Sequence, residues 1–513
     1  MNIKMLEITP FGFVFELENN KPYESGAMYS LFLNNQEVGV YTQNVISVFG
    51  LNPNTYYEGK LKAKDHEILF EVTTQEVNFV INVGDYNAIG NGIADDTAAI
   101  NTAIYTAPKG AVVYVPAGTY LVNTIFLKSD IDLYLEKDAV LMQTTNRQNL
   151  SIIKGFQKNY QHTDVTINTS WEGSPLDTYG HVIYGLEVEN TRIYGYGSIN
   201  GQGEEGNWWK EKGGKSKAYR PRNIFLNCCQ NMSIIGITSR NSASWNTHPF
   251  YCTNMRFYGM WLKSPHDSAN TDGINPESSV NIEIIGCRFD VGDDCIAIKS
   301  GKYFMSQFKL QPTENITIRN CYMGDGHGGI ALGSEISGGV KNLTVSQCLM
   351  EGTDRGIRIK TRRGRGKDSI LDGIRLSNIQ MKKVQHGIAL NMFYFCDPDG
   401  KTLYVRDKTV TVKDDMTPTI RDVEIDNVRA EDIRGCGIFM YGLPENKIDG
   451  VKIRNCHFGF AEGDARTTTE QPEMLEGFIA EQELGVFIKN AANVTLDNNT
   501  FSGEYTTEID EQR

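Results

Sequence analysis

Three aspartates and one histidine in the middle of the chain have the side chains needed for acid–base chemistry. Asp272 lies in Asn-Thr-Asp-Gly, Asp293 and Asp294 lie in Gly-Asp-Asp, and His327 lies in Gly-His-Gly. Clustered carboxylates raise one another's pKa, so that one acid keeps its proton while a neighbour is ionised. Such a pair can protonate the leaving oxygen of a glycosidic bond and activate the attacking water. These four residues are therefore the candidate catalytic set.

Basic residues follow this acidic set closely, although the chain as a whole carries a net charge of −13. Arg355, Arg358 and Lys360 lie in Arg-Gly-Ile-Arg-Ile-Lys, where a period of two turns Arg358 and Lys360 to the outer face of a strand. Their cations could clamp the carboxylate of an acidic sugar. The basic residues from 362 to 367 could instead form a solvated loop.

Several aromatic and polar residues are candidates for contacts with a sugar. Trp245 and His248 fall in the same column as the acids when the repeats described below are aligned, and Asn270 lies just before Asp272. Trp208, Trp209 and Trp245 could stack on sugar rings, or they could fill loop cores. We therefore include Trp245, His248 and Asn270 in the candidate binding set.

A repeat beyond residue 190 must position these residues. One unit begins with Asn, has aliphatic residues one and three places on, and often has Cys six places on, as at 281–289, 315–323 and 342–350. A second unit follows, as at 295–298, 329–332 and 356–359. Two short strands per repeat of variable length, with no helices between them, predict an all-β right-handed parallel β-helix.

Stacking of the repeats should bring the acids together. Equivalent positions of successive coils lie one strand spacing apart, so Asp272 and Asp294 should be neighbours, with Asp293 and His327 in the preceding column. Successive residues of a regular strand face opposite ways. Asp293 and Asp294 can therefore reach one groove only if the backbone bends there.

The first part of the chain has a different pattern. Residues 1–76 alternate apolar and polar residues between turns, which predicts a small β-sandwich, and the segment 51–57 resembles the tyrosine corner of fibronectin type III domains. Residues 77–513 then form the β-helix, and a short amphipathic helix near Thr97 closes one end of it.

Four motifs identify a family that the chain resembles. They occur in the same order as the signature segments of the glycoside hydrolase family 28 polygalacturonases, and the resemblance extends from about residue 80 to the C-terminus. The motifs are Asn270-Thr-Asp-Gly273, Gly292-Asp-Asp294, Gly326-His-Gly328 and Arg358-Ile-Lys360.

The resemblance implies inverting hydrolysis of α-1,4-linked galacturonate. It implies that Asp293 is the general acid and that Asp272 and Asp294 hold the nucleophilic water. By the same resemblance, His327 tunes the acid, while Arg358 and Lys360 bind the substrate carboxylate. The expected partner is thus a pectic oligo- or polysaccharide.

Other features resemble the exo-acting bacterial branch, which would release galacturonic acid from a chain end. They are the fibronectin-like front domain, the long stretch 301–313, and the segments around His248 and Arg355. Four alternatives stay open: a rhamnogalacturonan hydrolase, a xylogalacturonan hydrolase, a lyase, and a non-catalytic polysaccharide-binding solenoid.

Composition bears on partners and location. The acidic charge disfavours nucleic-acid binding, and no stretch predicts a membrane segment. The 10 cysteines include no Cys-x-x-Cys motif, so neither a zinc site, another metal nor a cofactor is expected. The first residues lack the pattern of a signal peptide, which predicts a cytoplasmic protein, or a secreted or periplasmic one if the chain has been trimmed. The oligomeric state is not predicted.

Overall fold

The computed structural model describes residues 2–158, 165–211, 216–465, 472–477 and 484–510. Its N-terminal part consists of two antiparallel sheets, in the strand orders β1-β2-β5 and β4-β3-β6-β7. Phe13, Phe15, Tyr29 and Leu31 are buried between them. The strands are β1 (Asn2–Thr9), β2 (Gly12–Glu18), β3 (Glu24–Leu33), β4 (Gln36–Gln43), β5 (Val45–Phe49), β6 (Tyr56–Lys62) and β7 (Glu67–Thr73).

The turn before β6 has the contact typical of a tyrosine corner. The backbone N–H of Asn52 donates to the hydroxyl of Tyr57 at 3.0 Å, so the tyrosine ties the strand back to the turn upstream of it. This contact agrees with the resemblance of segment 51–57 to fibronectin type III domains.

From Val80 onward the chain winds as a right-handed parallel β-helix, as the repeat predicts. Its first half contains α1 (Thr97–Thr106) and 22 strands. These strands are β8 (Val80–Asn82), β9 (Asn91–Asp95), β10 (Val112–Val115), β11 (Gly118–Val122), β12 (Ile125–Phe126), β13 (Asp132–Leu135), β14 (Ala139–Gln143), β15 (Ile152–Ile153), β16 (Phe156–Lys158), β17 (Val165–Ile167), β18 (Thr178–Tyr179), β19 (Ile183–Leu186), β20 (Arg192–Gly195), β21 (Ser198–Asn200), β22 (Ile224–Asn227), β23 (Gln230–Ile235), β24 (Thr238–Arg240), β25 (Thr247–Phe250), β26 (Thr253–Tyr258), β27 (Trp261–Lys263), β28 (Val280–Ile285) and β29 (Arg288–Asp290).

The second half of the β-helix carries most of the candidate site. Its helices are α2 (Tyr303–Ser306), α3 (Asp397–Gly400) and α4 (Leu403–Arg406). Its strands are β30 (Asp294–Ile298), β31 (Thr313–Arg319), β32 (Tyr322–Asp325), β33 (Gly328–Leu332), β34 (Val340–Ser346), β35 (Leu349–Glu351), β36 (Arg355–Lys360), β37 (Ile370–Lys382), β38 (His386–Asn391), β39 (Thr419–Ile433), β40 (Ile438–Tyr441), β41 (Ile448–Arg454), β42 (His457–Phe460), β43 (Leu484–Lys489), β44 (Ala491–Ala492), β45 (Thr495–Asp497), β46 (Thr500–Ser502) and β47 (Thr506–Ile509).

Most coils have three strands where the sequence predicts two. In the coil of the catalytic motif these are β28, β29 and β30. The first repeat unit is split because the residue five places after its Asn has a positive φ, as at Gly286, Asn320 and Gln347. That left-handed residue turns the chain and divides one expected strand into two.

The Asn at the start of each unit forms a ladder along the outside of the rod. The side-chain amide of Asn315 donates to Asn281 at 3.0 Å, and that of Asn342 donates to Asn315 at 3.1 Å. These residues also have positive φ, which Asn tolerates better than most side chains. The ladder accounts for the regular recurrence of Asn.

The interior of the rod is one continuous apolar core. α1 contributes Ile100, Ala103 and Ile104 to it and so covers the end of the rod. Among the described residues, the helices all fall short of the length and apolar character that crossing a bilayer requires.

The N-terminal sheets pack along the side of this rod. Val14 and Phe49 are buried together with Tyr134, Tyr194 and Ile285 from successive coils of the helix. Polar contacts extend the interface, because the carboxylate of Glu16 accepts hydrogen bonds from Arg319 at 2.6 and 2.7 Å. The two parts of the chain are therefore held in a fixed arrangement.

Candidate active site

Asp272 and Asp294 lie on adjacent coils, in the column that the repeat predicts. Ile274 pairs with Ile296 in a parallel bridge, and the backbone N–H of Gly273 donates to the carbonyl of Asp294 at 3.0 Å. Asp272, Asp293 and Asp294 each place one carboxylate oxygen within 4.8 Å of the others. The three acids thus form one cluster.

A bend at residues 292–293 lets two successive aspartates reach the same cavity. Gly292 and Asp293 lie in the bend, and β30 begins only at Asp294, whose N–H donates to the Asp293 carboxylate at 2.9 Å. A Cβ on Gly292 would lie 2.4 Å from the carbonyl oxygen of Ser268. Glycine is therefore required where the bent chain passes this close to the neighbouring coil.

His327 stands beside Asp293 on the next coil. Its backbone N–H donates to the carbonyl of Asp293 at 3.1 Å, and its Nδ1 lies 3.5 Å from Oδ1 of the same residue. The hydrogen bond to Asp293 is the main reason why the pKa of His327 rises to about 9. The imidazole is therefore a cation at neutral pH.

Arg358 and Lys360 lie in the cluster but already have partners within the protein. Arg358 donates to one oxygen of Asp294 at 3.0 Å, and Lys360 donates to the other at 2.7 Å. Arg358 also pairs with Glu473, and both of its carboxylate partners are buried. Both cations therefore neutralise Asp294, and Lys360 also lines the cavity described below.

The three carboxylates differ in their pKa values. Burial raises the pKa of Asp272 to about 8, and the nearby carboxylate of Asp293 adds to the effect. Burial would also raise the pKa of Asp294, but the cations of Lys360 and Arg358 outweigh it and lower that pKa below its ordinary value. One acid of the cluster is therefore protonated at neutral pH while another is ionised.

The acid of the cluster with the raised pKa is not the one that the resemblance implies. Burial would raise the pKa of Asp293, but its hydrogen bond with His327 lowers it. Asp272 has the raised pKa instead. Transfer of this proton within the cluster, or a rise in the pKa of Asp293 once substrate displaces water, is needed before Asp293 can act as the general acid.

The same oxygens could hold a metal ion, since carboxylates suit hard cations. Lys360 and Arg358 already supply positive charge to Asp294 at hydrogen-bond distance. Side chains of the protein thus offset part of the negative charge of the cluster.

The acids border a small cavity of about 130 Å³. Residues from both earlier and later coils contribute to its lining. Its lining includes Glu172, Trp245, Asn270, Asp272, Asp293, Asp294, Lys299, Gly333, Ser334, Glu335, Lys360, Tyr394, Cys396 and Asp397.

Lys299 and Glu335 are cavity residues that the sequence analysis missed. The ammonium of Lys299 lies 3.0 Å from Glu335, 3.8 Å from Asp272 and 4.5 Å from the ring centre of Trp245. Lys299 follows the inward-facing Ile296 and Ile298 on β30. The period of two that marks Arg358 and Lys360 would have identified it as well.

His248 does not have the exposure expected of a binding residue. Its side chain is completely buried, with Nε2 2.8 Å from the Glu277 carboxylate and its ring packed edge-on against Trp245 at 4.9 Å. The prediction that His248 touches the substrate therefore needs correction. The His248 ring packs against Trp245, and Trp245 does line the cavity.

Of the remaining candidate binding residues, one lines the cavity and the other does not. Asn270 lines the cavity, and its side-chain oxygen accepts a hydrogen bond from Arg220. Arg355 instead donates to the carbonyl of Pro472 at 3.0 Å. Trp208 is buried in a loop core, with the guanidinium of Arg147 3.8 Å from its ring centre.

The expectation of a solvated basic loop after Lys360 is wrong for its arginines. Arg362, Arg363 and Arg365 are each at most 2% exposed, because folded loops supply acids to all three. Their carboxylate partners are Asp399, Glu445 and Asp397, respectively. These three arginines are consequently buried in ion pairs within the protein.

A parallel β-helix that places three clustered carboxylates at a cavity, with a histidine beside one of them, has the groups that acid–base cleavage of a glycosidic bond requires. The family model "Glycosyl hydrolases family 28" matches residues 113–435, which is more than half of the chain. The chain belongs to this family.

Relatives and solved structures agree with this membership. A probable polygalacturonase of Vitis vinifera is 34% identical over 307 residues, which span 58% of this chain and 60% of the grape protein. An endo-polygalacturonase of Pectobacterium carotovorum subsp. carotovorum is 31% identical over 58% of this chain and 72% of its own. The chain thus spans less than two thirds of the grape relative.

The fold of the whole chain also has a counterpart. The family 28 exopolygalacturonase of Yersinia enterocolitica superposes with a TM-score of 0.69 at 18% identity, over 99% of this chain and 97% of that one. The exopolygalacturonase of Thermotoga maritima gives 0.65 at 24% identity, over 75% and 88%. These likenesses extend the shared fold to the N-terminal sheets.

Proposed function

We propose that the protein hydrolyses the α-1,4 bonds of polygalacturonate and oligogalacturonides. The observation that carries this proposal is the cluster of Asp272, Asp293 and Asp294, in which one acid has a raised pKa and another a lowered one. This arrangement supplies a proton donor and an ionised base a few ångströms apart. The names of the family 28 relatives supply the substrate.

In this mechanism Asp293, once it has received the proton of Asp272, protonates the leaving oxygen. A water held between Asp272 and Asp294 attacks the anomeric carbon as its own proton passes to one of these two carboxylates. His327 keeps a positive charge beside Asp293 and so favours return of the acid to its ionised form. Lys360 and Lys299 face the cavity and offer cations to the sugar carboxylate.

We propose inversion at the anomeric carbon, as in the family that the motifs resemble. The carboxylates lie closer than the ~6.5–9.5 Å usual for inverting pairs, since one oxygen of each lies within 4.8 Å of the others. Three acids replace the usual two, so that Asp272 and Asp294 share the water. Proton NMR of the first product should show the β-anomer, whereas an initial α-anomer would indicate retention.

We further propose that the enzyme acts from chain ends. Trp245 and Glu172 from earlier coils and Tyr394 and Asp397 from later coils all border the cavity, whereas an internal cut needs a groove that a long chain can cross. The loop at Gly173 is fixed over the site, because its carbonyl accepts from Lys302 at 2.8 Å and a Cβ there would lie 2.8 Å from Glu335. The volume of about 130 Å³ is below the ~300 Å³ of common ligand pockets and suits a single sugar.

Chromatography of products over time tests this function. Wild-type protein with homogalacturonan should release galacturonic acid from the first minutes, without a ladder of intermediate lengths. Asp293→Asn should lose at least ~100-fold in rate yet still bind oligogalacturonide, and Asp290→Asn, at an aspartate outside the cluster, should retain the wild-type rate. An early ladder would indicate internal cutting, and release only from rhamnose- or xylose-bearing pectin would overturn the substrate.

Two further proposals concern domains and location. We propose that residues 1–76 and 77–513 are separate structural units, with the first serving as a brace for the second.

The comparisons do not support the expected cytoplasmic location, and polygalacturonate is an extracellular polymer. We therefore propose that the enzyme works outside the cytoplasm, which fractionation of producing cells followed by activity assay would test.

A further inference from the structure

Lys299 lies on the coil between those that carry Asp272 and Glu335. It directly follows β30, which pairs with β33 of the next coil, and Glu335 lies in the loop after β33. On the other side Ile274, which follows Asp272 closely, forms a parallel bridge with Ile296 of β30. A long side chain that leaves this middle coil can therefore reach an acid on either neighbouring coil.

The ammonium of Lys299 is shared unequally between these two acids. Nζ donates a hydrogen bond to Oε2 of Glu335 at 3.0 Å, whereas Oδ2 of Asp272 lies 3.8 Å away, within ion-pair distance but too far for a hydrogen bond. All three side chains are at most 10% exposed, so water and salt screen their charges only weakly. Among the described residues, no other basic side chain lies within ion-pair distance of Asp272.

Lys299 and Glu335 keep their charges over the pH range in which Asp272 titrates. Burial would raise the pKa of Glu335, but the cations of Lys299 and Lys302 lower it to about 2. Burial would lower the pKa of Lys299, but Glu335 and Asp272 hold it above its ordinary value. Asp272, with its pKa of about 8, is thus the one member of the three whose charge changes near neutral pH.

The hydrolysis proposed above leaves Asp272 with a negative charge. Its O–H bond breaks as the proton passes to the carboxylate of Asp293, and a buried anion remains on Asp272, which is costly unless donors or cations surround it. Oδ2 of Asp272 already accepts a hydrogen bond from Asn275 at 2.7 Å. A shift of the Lys299 ammonium by about 1 Å would add a charge-assisted hydrogen bond to the same oxygen.

We propose that Lys299 is a positioning residue for proton transfer from Asp272 to Asp293, and that Glu335 holds its ammonium in reserve until Asp272 becomes ionised. This inference rests on the proposed hydrolysis of galacturonate chains. While Asp272 is neutral, Glu335 keeps the cation at a distance and the proton stays on Asp272. Once the proton leaves, the ammonium turns to Asp272 and stabilises the new carboxylate.

Other charged and titratable groups surround the three residues. Glu277 titrates in the same range as Asp272, because burial raises its pKa to about 8, so a signal from Asp272 has to be assigned with Asp272→Asn. The groups are Asp293, Asp294, Arg222 and Cys295 around Asp272; Glu172, His248 and Glu277 around Lys299; and Lys302, Arg365, Cys396 and Asp397 around Glu335.

Lys299→Met removes the cation and keeps an unbranched side chain. The alkaline limb of kcat/KM, which reports loss of the proton that Asp272 and Asp293 share, should move upward by about one pH unit, because an opposite charge within ~4–6 Å lowers the pKa of an acid by ~1–3. The kcat should fall about tenfold, since Asp272 then gives up its proton less readily. A chelator in every assay removes divalent cations, which the three carboxylates could otherwise bind in place of the ammonium.

Glu335→Gln should move the same limb in the opposite direction. Lys299 then loses its stronger partner and turns to Asp272 in the free enzyme, so the limb should fall by about one pH unit. Lys154→Met is the matched control, because Lys154 pairs with Asp177 at 2.8 Å on the exposed surface, and it should leave the limb at its wild-type pH. Shifts of Lys299→Met and Glu335→Gln in the same direction would overturn the proposal. A raised KM in Lys299→Met with an unmoved limb would also overturn it and leave Lys299 a binding residue alone.

Infrared spectroscopy of the protein without substrate separates this inference from the proposed function. The C=O band of a protonated carboxyl that disappears in Asp272→Asn belongs to Asp272, and its pKa should rise in Lys299→Met and fall in Glu335→Gln. If Lys299→Met does not fold, the direction of the change in Glu335→Gln decides alone. An unmoved pKa of Asp272 would overturn the role of Lys299, whereas failure of the wild-type protein to release any product would refute the hydrolysis itself.

Discussion

Asp293 and His327 face each other across two adjacent coils, with Nδ1 of the histidine 3.5 Å from the carboxylate of the aspartate. The contact raises the pKa of His327 to about 9 and lowers that of Asp293 despite its burial. Asp293 and His327 therefore form an ion pair at the position where the general acid is expected. The pH dependence of hydrolysis should report how this pair exchanges its proton.

The variant His327→Asn tests that coupling. Without the imidazolium the pKa of Asp293 should rise, because burial and the charge of Asp294 are then opposed only by the smaller effect of the Lys360 cation. The alkaline limb of kcat/KM, which reports loss of the acid's proton in the free enzyme, should move upward by about one pH unit. His266→Asn, at an exposed histidine that pairs with Asp325, serves as the control with no shift. If the alkaline limb of kcat/KM does not move in His327→Asn, the proton lost in that limb belongs to a group other than Asp293.

Asp272 and Asp294 should have opposite effects on stability. The folded pKa of Asp272 lies at about 8, above its unfolded value of about 4, so its contribution is present below pH 4 and is lost as pH rises toward 8. Asp272→Asn should therefore raise the free energy of unfolding at pH 8 by ~1 kcal/mol or more, with little change at pH 4.

Asp294 has a lowered pKa, so its contribution is present at neutral pH and is lost as pH falls through the folded value. Asp294→Asn leaves Arg358 and Lys360 without their shared partner and should cost ~3–5 kcal/mol at pH 7. Urea unfolding of both variants at pH 4 and pH 8 provides the measurement. Changes of the same sign at pH 8 would contradict the charge assignment.

The parts of this structure that follow from short-range pattern were predictable. The alternation around Ile357 places it in the core and turns Arg358 outward, and the equal offsets within the repeat stack Asp272 and Asp294 on adjacent coils. The chain bend at Asp293 was also foreseeable, because two successive acids cannot otherwise enter one cavity.

Contacts made by long connections were not predictable. Arg363 looks like a solvated cation in sequence, yet Glu445 pairs with it from a later coil. Glu473 likewise reaches Arg358 through a connection whose path no local pattern encodes. His248 sits in the right column, but its burial depends on Glu277 and on the loop that covers it. Such pairings depend on the geometry of loops, which neither the two-residue period of a strand nor the position of a residue within its repeat predicts.

The interface between the N-terminal sheets and the rod leads to the final prediction. Glu16 is 4% exposed, and its carboxylate accepts from Arg319 at 2.6 and 2.7 Å and from Asn320 at 2.6 Å. Glu16→Gln should lower the free energy of unfolding by ~2 kcal/mol, since it leaves Arg319 without its charge partner. Urea unfolding followed by circular dichroism provides the measurement.

Glu18→Gln, at an exposed position on the same strand, is the control and should unfold like the wild type. Because Phe49 is buried against Tyr194 of the rod, we expect both parts to unfold in one transition that moves as a whole in Glu16→Gln. A separate early transition of the N-terminal sheets, with the main midpoint unmoved, would show that they are an independent module. A single shifted transition would instead support their role as a brace, because stability lost at the interface would then be lost by the rod that carries the acids.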